Sequence, residues 1–503
     1  MDYWTFTTER HPIQGIYISL GLEVSIYRIR TPQTRSLFVF SSNFWKYIDN
    51  FPFLLAFKIE NKSQMVEESK EWQLKAETEL RCEVNNTEEL KVKVVEGNAE
   101  IFGVELAIGK EYKFRDENIA IFTWYGCKLE TSPPNMEGVY LSDTTPMVAY
   151  VNTHSQLEAR RDAALNNNDN GPRVLLLGGK DSGKSTTARI LTSYAARLDR
   201  NPIYVDLDVA ESSHGGLPGC ITATPVDKSM LNVENMFESS VPLVHFYGNI
   251  SIEDNVKLYN SLCSNLATAV DQRLARDSDA KASGMIINAN SSTDGVAKEA
   301  INHIVRVFAV DIVLVMESDR LFSTLQNSLP STVAVLKLPR SGGVVARDAA
   351  VRRRLRKERI NEYFYGPKCN LNGALALSPS RVDLPLSKIV IIRQGGVQIS
   401  AALRPIGSDK ATDDTTLTSV RPSPDLLHHI LAVLHPSLDS SDDSDPDIST
   451  VPSHLMKSNI GGFLYVCAVD MEQDIITVTA PCPCSPDTLP SRYCLIGSVK
   501  WVE

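Results

Sequence analysis

The stretch Gly178–Thr186, GGKDSGKST, follows the apolar run RVLLL (173–177) and leads into TARILTSYAARL. An apolar strand, a glycine loop and a helix in that order form a cradle for phosphate. Gly178, Gly183, Lys184 and Ser185 fit the spacing G-x-x-x-x-G-K-[ST]. The glycines let the backbone curl until its N–H groups converge on phosphate oxygens, and a helix over 184–198 adds its positive end. Lys184 then bridges the β- and γ-phosphates, while the Ser185 hydroxyl takes a Mg²⁺. A chance glycine turn is the alternative, and the flanking strand and helix argue against it.

Working outward, the next strand-like run, PIYVDLDVAE, ends in two carboxylates. Strand alternation puts Asp206 and Asp208 on one face, so both are expected to reach the phosphate end. Phosphoryl transfer needs a carboxylate to orient an acceptor hydroxyl or hold Mg²⁺, and Asp208, nearer the strand end, is better placed. A strand-end aspartate that only caps the following turn is the other reading. Further on, ARDAAVRRRLRKERINEYFYG (346–366) has helical composition. Arg347, Arg352 and Arg356, spaced five and then four apart, are expected roughly on one helix face. They would serve as a lid that closes on the terminal phosphate. A solvated basic face, or a nuclear localisation signal in RRRLRK, explains the same residues.

The pattern around this core changes twice. Residues 74–130 alternate apolar and polar in short runs (ELRCEV, ELKVKVV, IAIFTWYGCKLE), which predicts a small all-β domain. A polar helical stretch, SQLEARRDAALNNNDNGP, links it to RVLLL. From 172 to about 340, the runs RVLLL, PIYVDLD, GMIINA, DIVLVME and TVAVLKL read as buried parallel strands separated by helices. Beyond about 376, KIVIIRQG, GGFLYVCAVD and IITVTAP predict a second β-rich domain, interrupted by the Ser/Asp run SLDSSDDSDPDIST (437–450) that is expected to be disordered. The fold class is therefore α/β: a central P-loop NTPase-like parallel sheet with helices on both faces, flanked by an N-terminal β domain and a small C-terminal β-rich domain. The expected boundaries are 1–64, an extension that is disordered or precedes a natural start at Met65; 65–150; 151–376; and 377–503.

Composition narrows the function. A chain of 503 residues is too long for one core. A net charge of −10 leaves nucleic-acid contact to a local basic patch, since the overall field repels. No apolar run reaches a membrane-spanning length and the N-terminus lacks secretory-signal features, so an intracellular protein is expected. Cys482, Cys484 and Cys494 lack zinc-ligand spacing and a nearby fourth ligand, and structural cysteines are the better reading. No NKxD-type guanine reader follows the loop, which favours adenine.

Read together, these residues resemble the polyribonucleotide 5′-hydroxyl kinase family, in particular its ATP-binding subunit of the mRNA cleavage and polyadenylation factor (cleavage factor IA type). The matching blocks are ETELRCEV, EIFGVELAIGKEYKF, IFTWYGC, the phosphate loop, YVDLDV, LPGCITATP, SGGVV and RKERINEYFYG, across roughly residues 70–503. By that resemblance, Asp181, Ser182, Gly183, Lys184, Ser185 and Thr186 hold phosphate, and Glu79 meets the adenine side of ATP. Asp208 activates an RNA 5′-hydroxyl in active members, and Arg347, Arg352 and Arg356 are the lid arginines.

Three departures bear on mechanism. Asn118 stands where many members have a lysine near the nucleotide. VAES follows Asp208 where active members tend to have a glycine–glutamine pair. Active members carry an RNA-clasping tryptophan after the third core strand, and INANSSTDGVAK places Ser292 there. Losing a stacked base, worth about 1–3 kcal/mol, would weaken RNA-end binding roughly 5- to 150-fold. The resemblance thus implies a nuclear ATP- and Mg²⁺-binding component of mRNA 3′-end processing, with the nucleotide held mainly as a structural ligand. Its partners would be the scaffold subunit that reads the RNA polymerase II tail and other 3′-end processing subunits, with RNA bound indirectly or weakly and no membrane. A working ATP-dependent RNA 5′-hydroxyl kinase is the alternative.

Overall fold

The computed structural model describes residues 27–30, 36–39, 68–211, 215–234, 237, 240–290, 295–366, 377–395, 416–435, 455, 457–485 and 487–502. Ser292, the Ser/Asp run 437–450 and all of 1–64 except two short strands lie outside these residues. The chain divides into two units, Met1–Val66 and Glu67–Glu503. In the first, Tyr27–Arg30 pairs antiparallel with Ser36–Val39. Everything below concerns the second.

Alternation in 70–142 produces a β-sandwich. One sheet has four strands, in the order Lys70–Leu74, Cys127–Ser132, Leu90–Gly97 and Glu111–Phe114. The other has five: Val139–Ser142, Thr78–Glu83, Asn118–Thr123, Glu100–Ile101 and Val104–Glu105. Leu80, Cys82, Ile119 and Ile121 point inward against Leu90, Val92, Val94 and Leu129, all of them buried. Thr78–Glu83 is buried along both faces apart from Glu83, which is partly buried, although it carries Glu79 and Arg81. That combination means a second layer covers the outer face of this sheet.

The layer is the central domain, whose strands are numbered within it. Helix α1 (Met147–Asn167) leads into β1 (Arg173–Leu177), and α2 (Lys184–Arg197) follows the glycine loop. Then come β2 (Ile203–Asp206), β3 (Cys220–Pro225), β4 (Leu243–Phe246), α3 (Val256–Arg276), α4 (Ser278–Ser283), β5 (Met285–Asn288), α5 (Val296–Val307), β6 (Ile312–Met316), α6 (Asp319–Ser328), β7 (Ala334–Leu338) and α7 (Ala349–Tyr365). The seven strands run in the order β4-β3-β2-β5-β1-β6-β7. The five strands read from the sequence are parallel, as expected. The sheet is nonetheless mixed, because β3 and β4 add antiparallel to one edge. CITATP and LVHF are short, and among the described residues only a three-residue 3-10 turn, Lys228–Met230, separates them, so the βαβ reading passed over them.

Helices cover both faces, as the buried strands require. Leu175 and Leu177 pack on one side against α3 and α5, while Val174 and Leu176 pack on the other against α1 and α2. Helix α1 begins at Met147, eight residues before the polar linker from which it was predicted, because Met147, Tyr150 and Leu157 give it an apolar face. Among the described residues no helix is long and apolar enough to cross a membrane.

The C-terminal sheet has seven strands, in the order Ser380–Pro385, Ile475–Ala480, Ile460–Asp470, His429–Leu434, Tyr493–Lys500, Val390–Gln394 and Leu417–Ser419. One of its apolar faces packs on Val244 and Phe246 of β4 and on Ile360 and Phe364 of α7. INEYFYG is therefore the join between the basic helix and the last domain. Of the cysteines considered as zinc ligands, Cys494 is buried within its strand, Cys484 is partly buried and Cys482 is exposed.

Candidate functional site

The parallel strands bring their C-terminal ends to one edge, where an α/β sheet presents its loops to ligands. The loop after β1 lines a cleft there, and the opposite wall is the outer face of the sandwich. Alternation explains that wall. With Leu80 and Ile121 committed to the sandwich core, Glu79 and Arg81 face outward beside Phe122 and Ala120, their register partners. Asn118 continues the same face and lines the cleft while remaining exposed. Glu79 is 2 % exposed and accepts from Arg81 Nε at 2.6 Å. Arg81 Nη2 donates to Thr144 O at 2.7 Å. The SGGVV loop crosses so near Arg81 that a Cβ on Gly342 would lie 2.9 Å from Nη1.

The phosphate side follows from the glycine loop. Gly183, at φ +85, turns the chain into α2, and no side chain caps the helix. The first-turn N–H groups are thus left for an anion, as a phosphate cradle requires. Lys184 is 6 % exposed, and its Nζ donates to Gly179 O at 2.8 Å. Burial lowers its pKa; Asp208 and Asp181 oppose the shift, and Arg352 adds to it. Asp181, Ser182, Gly183, Lys184, Ser185 and Thr186 all line the cleft, whereas Gly178 starts the loop without lining it. A Cβ on Gly178 would come within 2.8 Å of Ser182 Oγ, so its absence lets the loop close.

Of the paired carboxylates, only Asp208 lines the cleft. Strand β2 ends at Asp206, and Asp206 turns inward to accept from Asp208 N at 3.1 Å and from Asn288 Nδ2 at 3.0 Å. Asp208 Oδ1 accepts from Ala210 N at 3.0 Å and Glu211 N at 3.3 Å. The capping role and a place in the cleft therefore coexist. Burial raises the Asp208 pKa; the Lys184 charge is the largest influence pulling it back. Asn288, which the sequence reading missed, ends β5, the strand between β2 and β1. Its Oδ1 lies 3.4 Å from Ser185 Oγ, so one amide joins the loop to Asp206. The signal was available: GMIINA ends in a lone polar residue at the strand terminus.

The three arginines expected to form a lid divide. Helix α7 starts at Ala349 with Asp348 as its cap, so Arg347 precedes the helix and does not share a helical face with the other two. Arg347 and Arg352 line the cleft; Arg356 does not, and burial together with the charges of Arg353 and Arg352 lowers its pKa. Arg352 Nη2 meets Asp181 Oδ2 at 2.5 Å, and its Nη1 pairs with Glu211. Arg347 donates its backbone N–H to Asp181 Oδ2 at 3.1 Å, and its Nη1 lies 3.5 Å from Glu211 Oε2. Glu211 was noted in the sequence only as part of VAES. Its pairing with residues 136 and 141 positions away leaves no local trace.

The phosphate-loop helix is also tied to the sandwich. Arg197 Nη1 meets Glu100 Oε2 at 2.8 Å, and the Tyr194 hydroxyl donates to the other oxygen. Arg189 lies 5.0 Å over the Phe102 ring. Tyr150 lines the cleft and donates to Pro339 O at 2.8 Å, which holds the start of the SGGVV segment against α1.

These residues fit a magnesium nucleoside triphosphate. Phe102, Phe122 and Met147 offer an apolar wall for a base, α2 offers uncapped N–H groups, and Ser185 with Asp208 offers oxygen ligands.

Comparison with known proteins agrees along the chain. Residues 178–366 match the model described as mRNA cleavage and polyadenylation factor CLP1 P-loop. Residues 73–164 match the N-terminal beta-sandwich domain of polyadenylation factor, and 377–503 match pre-mRNA cleavage complex II protein Clp1. A "Protein CLP1 homolog" of Nematostella vectensis is 35% identical over 441 residues, covering 87% of this chain and 97% of that one. The "Polyribonucleotide 5'-hydroxyl-kinase Clp1" of Homo sapiens is 35% identical over 433 residues, covering 86% and 96%. A solved complex of wild-type Clp1p with Pcf11p superposes with a TM-score of 0.71 at 25% identity, covering 87% of this chain and 99% of that chain. A second solved structure, of the extended interface between Pcf11p and Clp1p and the basis for ATP loss in a point mutant, gives 0.72 at 26%, covering 87% and 100%. With sandwich, phosphate loop, lid and C-terminal sheet all matched, the chain belongs to the Clp1 family.

Proposed function

We propose that this chain is a nuclear ATP-binding component of the pre-mRNA cleavage complex that acts in polyadenylation-dependent 3′-end formation, with the nucleotide serving mainly as a structural ligand. The observation that carries this reading is the joint construction of the cleft. Glu79 and Phe122 come from the sandwich, Lys184 and Ser185 from the core, and Val344 and Arg352 from the segment that continues into the C-terminal domain. A molecule filling it would touch the sandwich, the core and the start of α7 together, and so would fix their relative orientation. Relatives solved as Clp1p–Pcf11p complexes support a scaffold subunit as that partner, and the ATP loss described for a point mutant of such a relative supports the ligand.

In this reading Lys184 and the first turn of α2, Thr186 included, hold the phosphates, and Ser185 and Asp208 hold Mg²⁺. The metal would neutralise phosphate charge. Glu79 and Asn118 bound the adenine side. A second reading, an RNA 5′-hydroxyl kinase, is favoured by one observation: buried Asp208 lies in the same cleft as Lys184 and Ser185, where it could orient an acceptor hydroxyl.

Labelled ATP and a 5′-hydroxyl RNA oligonucleotide separate the two. The structural reading expects ATP to stay with the protein through purification and little label to reach RNA. Robust transfer, abolished in Lys184→Ala, establishes the kinase instead.

A further inference from the structure

Building on the nucleotide reading of the cleft, we infer that Glu211 is a positioning residue: it engages Arg352 and Arg347 as an internal substitute for a terminal phosphate, and so sets how far the site prefers a triphosphate to a diphosphate. A guanidinium presents a planar fork of donors that suits carboxylate and phosphate oxygens alike. Here Arg352 commits one nitrogen to Asp181 and another to Glu211, while Arg347 reaches Glu211 with its guanidinium and Asp181 with its backbone N–H. Two guanidiniums face two carboxylates, so this part of the lid shows an incoming anion little net charge.

The two acids are not equivalent. Asp181 belongs to the phosphate loop and stays where the loop puts it, at φ +53. Glu211 reaches in from the turn after Asp208, where its backbone N–H donates to Asp208 Oδ1 at 3.3 Å. The side chains of Arg352 and Glu211 are 15% and 30% exposed, so solvent only partly screens the pair. A terminal phosphate must take Arg352 from Glu211 and also approach that carboxylate's negative charge. A diphosphate, one phosphoryl shorter, meets neither penalty in full.

Titration calorimetry of the full chain with Mg-ATP and Mg-ADP tests this in wild type, Glu211→Gln, Arg352→Ala and the double variant. Glu211→Gln keeps the side-chain shape and removes its charge. ATP affinity is expected to rise roughly three- to thirtyfold and ADP affinity by less than about twofold, an asymmetry that a general change in folding would not produce. The gain should vanish in the Arg352→Ala background, because Glu211 acts through that arginine. An unchanged ATP/ADP ratio, a parallel rise in both, or a gain that survives Arg352→Ala overturns the inference while leaving nucleotide binding intact. Absence of ATP binding in every form overturns the nucleotide reading with it.

Discussion

Helix α7 has two ends in unlike surroundings. At its start, Arg352, with Arg347 just before the helix, is held by Asp181 and Glu211 at the cleft. At its finish, Phe364 is fully buried and stacks on Trp501 with ring centroids 5.6 Å apart and planes at 10°. There Tyr363 accepts from Phe463 N at 2.9 Å, and Ile360 fills the same apolar cluster. Ion pairs can be exchanged for a phosphate at modest cost, whereas a packed aromatic cluster cannot be opened without exposing apolar surface. One 17-residue helix thus combines an ion-paired start with an anchored end.

The contrast can be broken at either end. Phe364→Ala should cost about 3–5 kcal/mol in chemical denaturation, since it leaves a cavity between α7 and the C-terminal sheet. A loss below about 1 kcal/mol would mean that the base is not anchored. At the tip, Lys184→Ala should weaken ATP binding on the order of 100-fold, about 2.7 kcal/mol, with a much smaller change in unfolding. Equal damage to folding and binding would erase the distinction.

A carboxyl of the sandwich that feels the charge of α7 sharpens the comparison through pH. Glu117 of the sandwich has its pKa raised to about 7, chiefly by burial; Arg189 pulls it down, and Glu234, Glu362 of α7 and Asp116 push it up. A carboxyl whose folded pKa exceeds its unfolded value of 4.5 carries no penalty below that value, loses stability as pH rises toward 7, and keeps the full penalty above it. Glu117→Gln should therefore match wild type near pH 4 and exceed it at pH 8 by on the order of 1–2 kcal/mol, less than the full shift would give because the side chain is only partly buried and solvent screens it. Denaturation at the two pH values checks this, and a gain of equal size at both removes the assignment. The smallest effect belongs to Arg354, which meets Asp116 at 2.7 Å and is 38% exposed. Arg354→Ala should cost about 0.2–1 kcal/mol and less in high salt. A larger, salt-insensitive loss would make this contact part of the anchor.

Local features carried most of the legible chemistry. The phosphate loop could be read because strand, glycine turn and helix are contiguous, and Asp208 because it follows the next strand by two residues. The sandwich could be read because a period of two marks a half-buried sheet. Helical spacing misled for Arg347, since Asp348 caps α7 one residue later. It misled for Arg356 because sharing a face with Arg352 does not fix how far along the helix the cleft extends. The antiparallel β3 and β4 escaped because nothing local tells a short apolar run which neighbour it will pair with.

The sequence by itself determined that a phosphate cradle would form, that carboxylate and basic groups would accompany it, and that β domains would flank it, because each rests on periodicities within a dozen residues. Only the tertiary structure decided that Asn288 joins Ser185 to Asp206, that the outer face carrying Glu79 walls the cleft, and that Glu211 meets the lid arginines. Those pairings join residues tens to hundreds of positions apart, and side-chain reach acts only after the layers have packed.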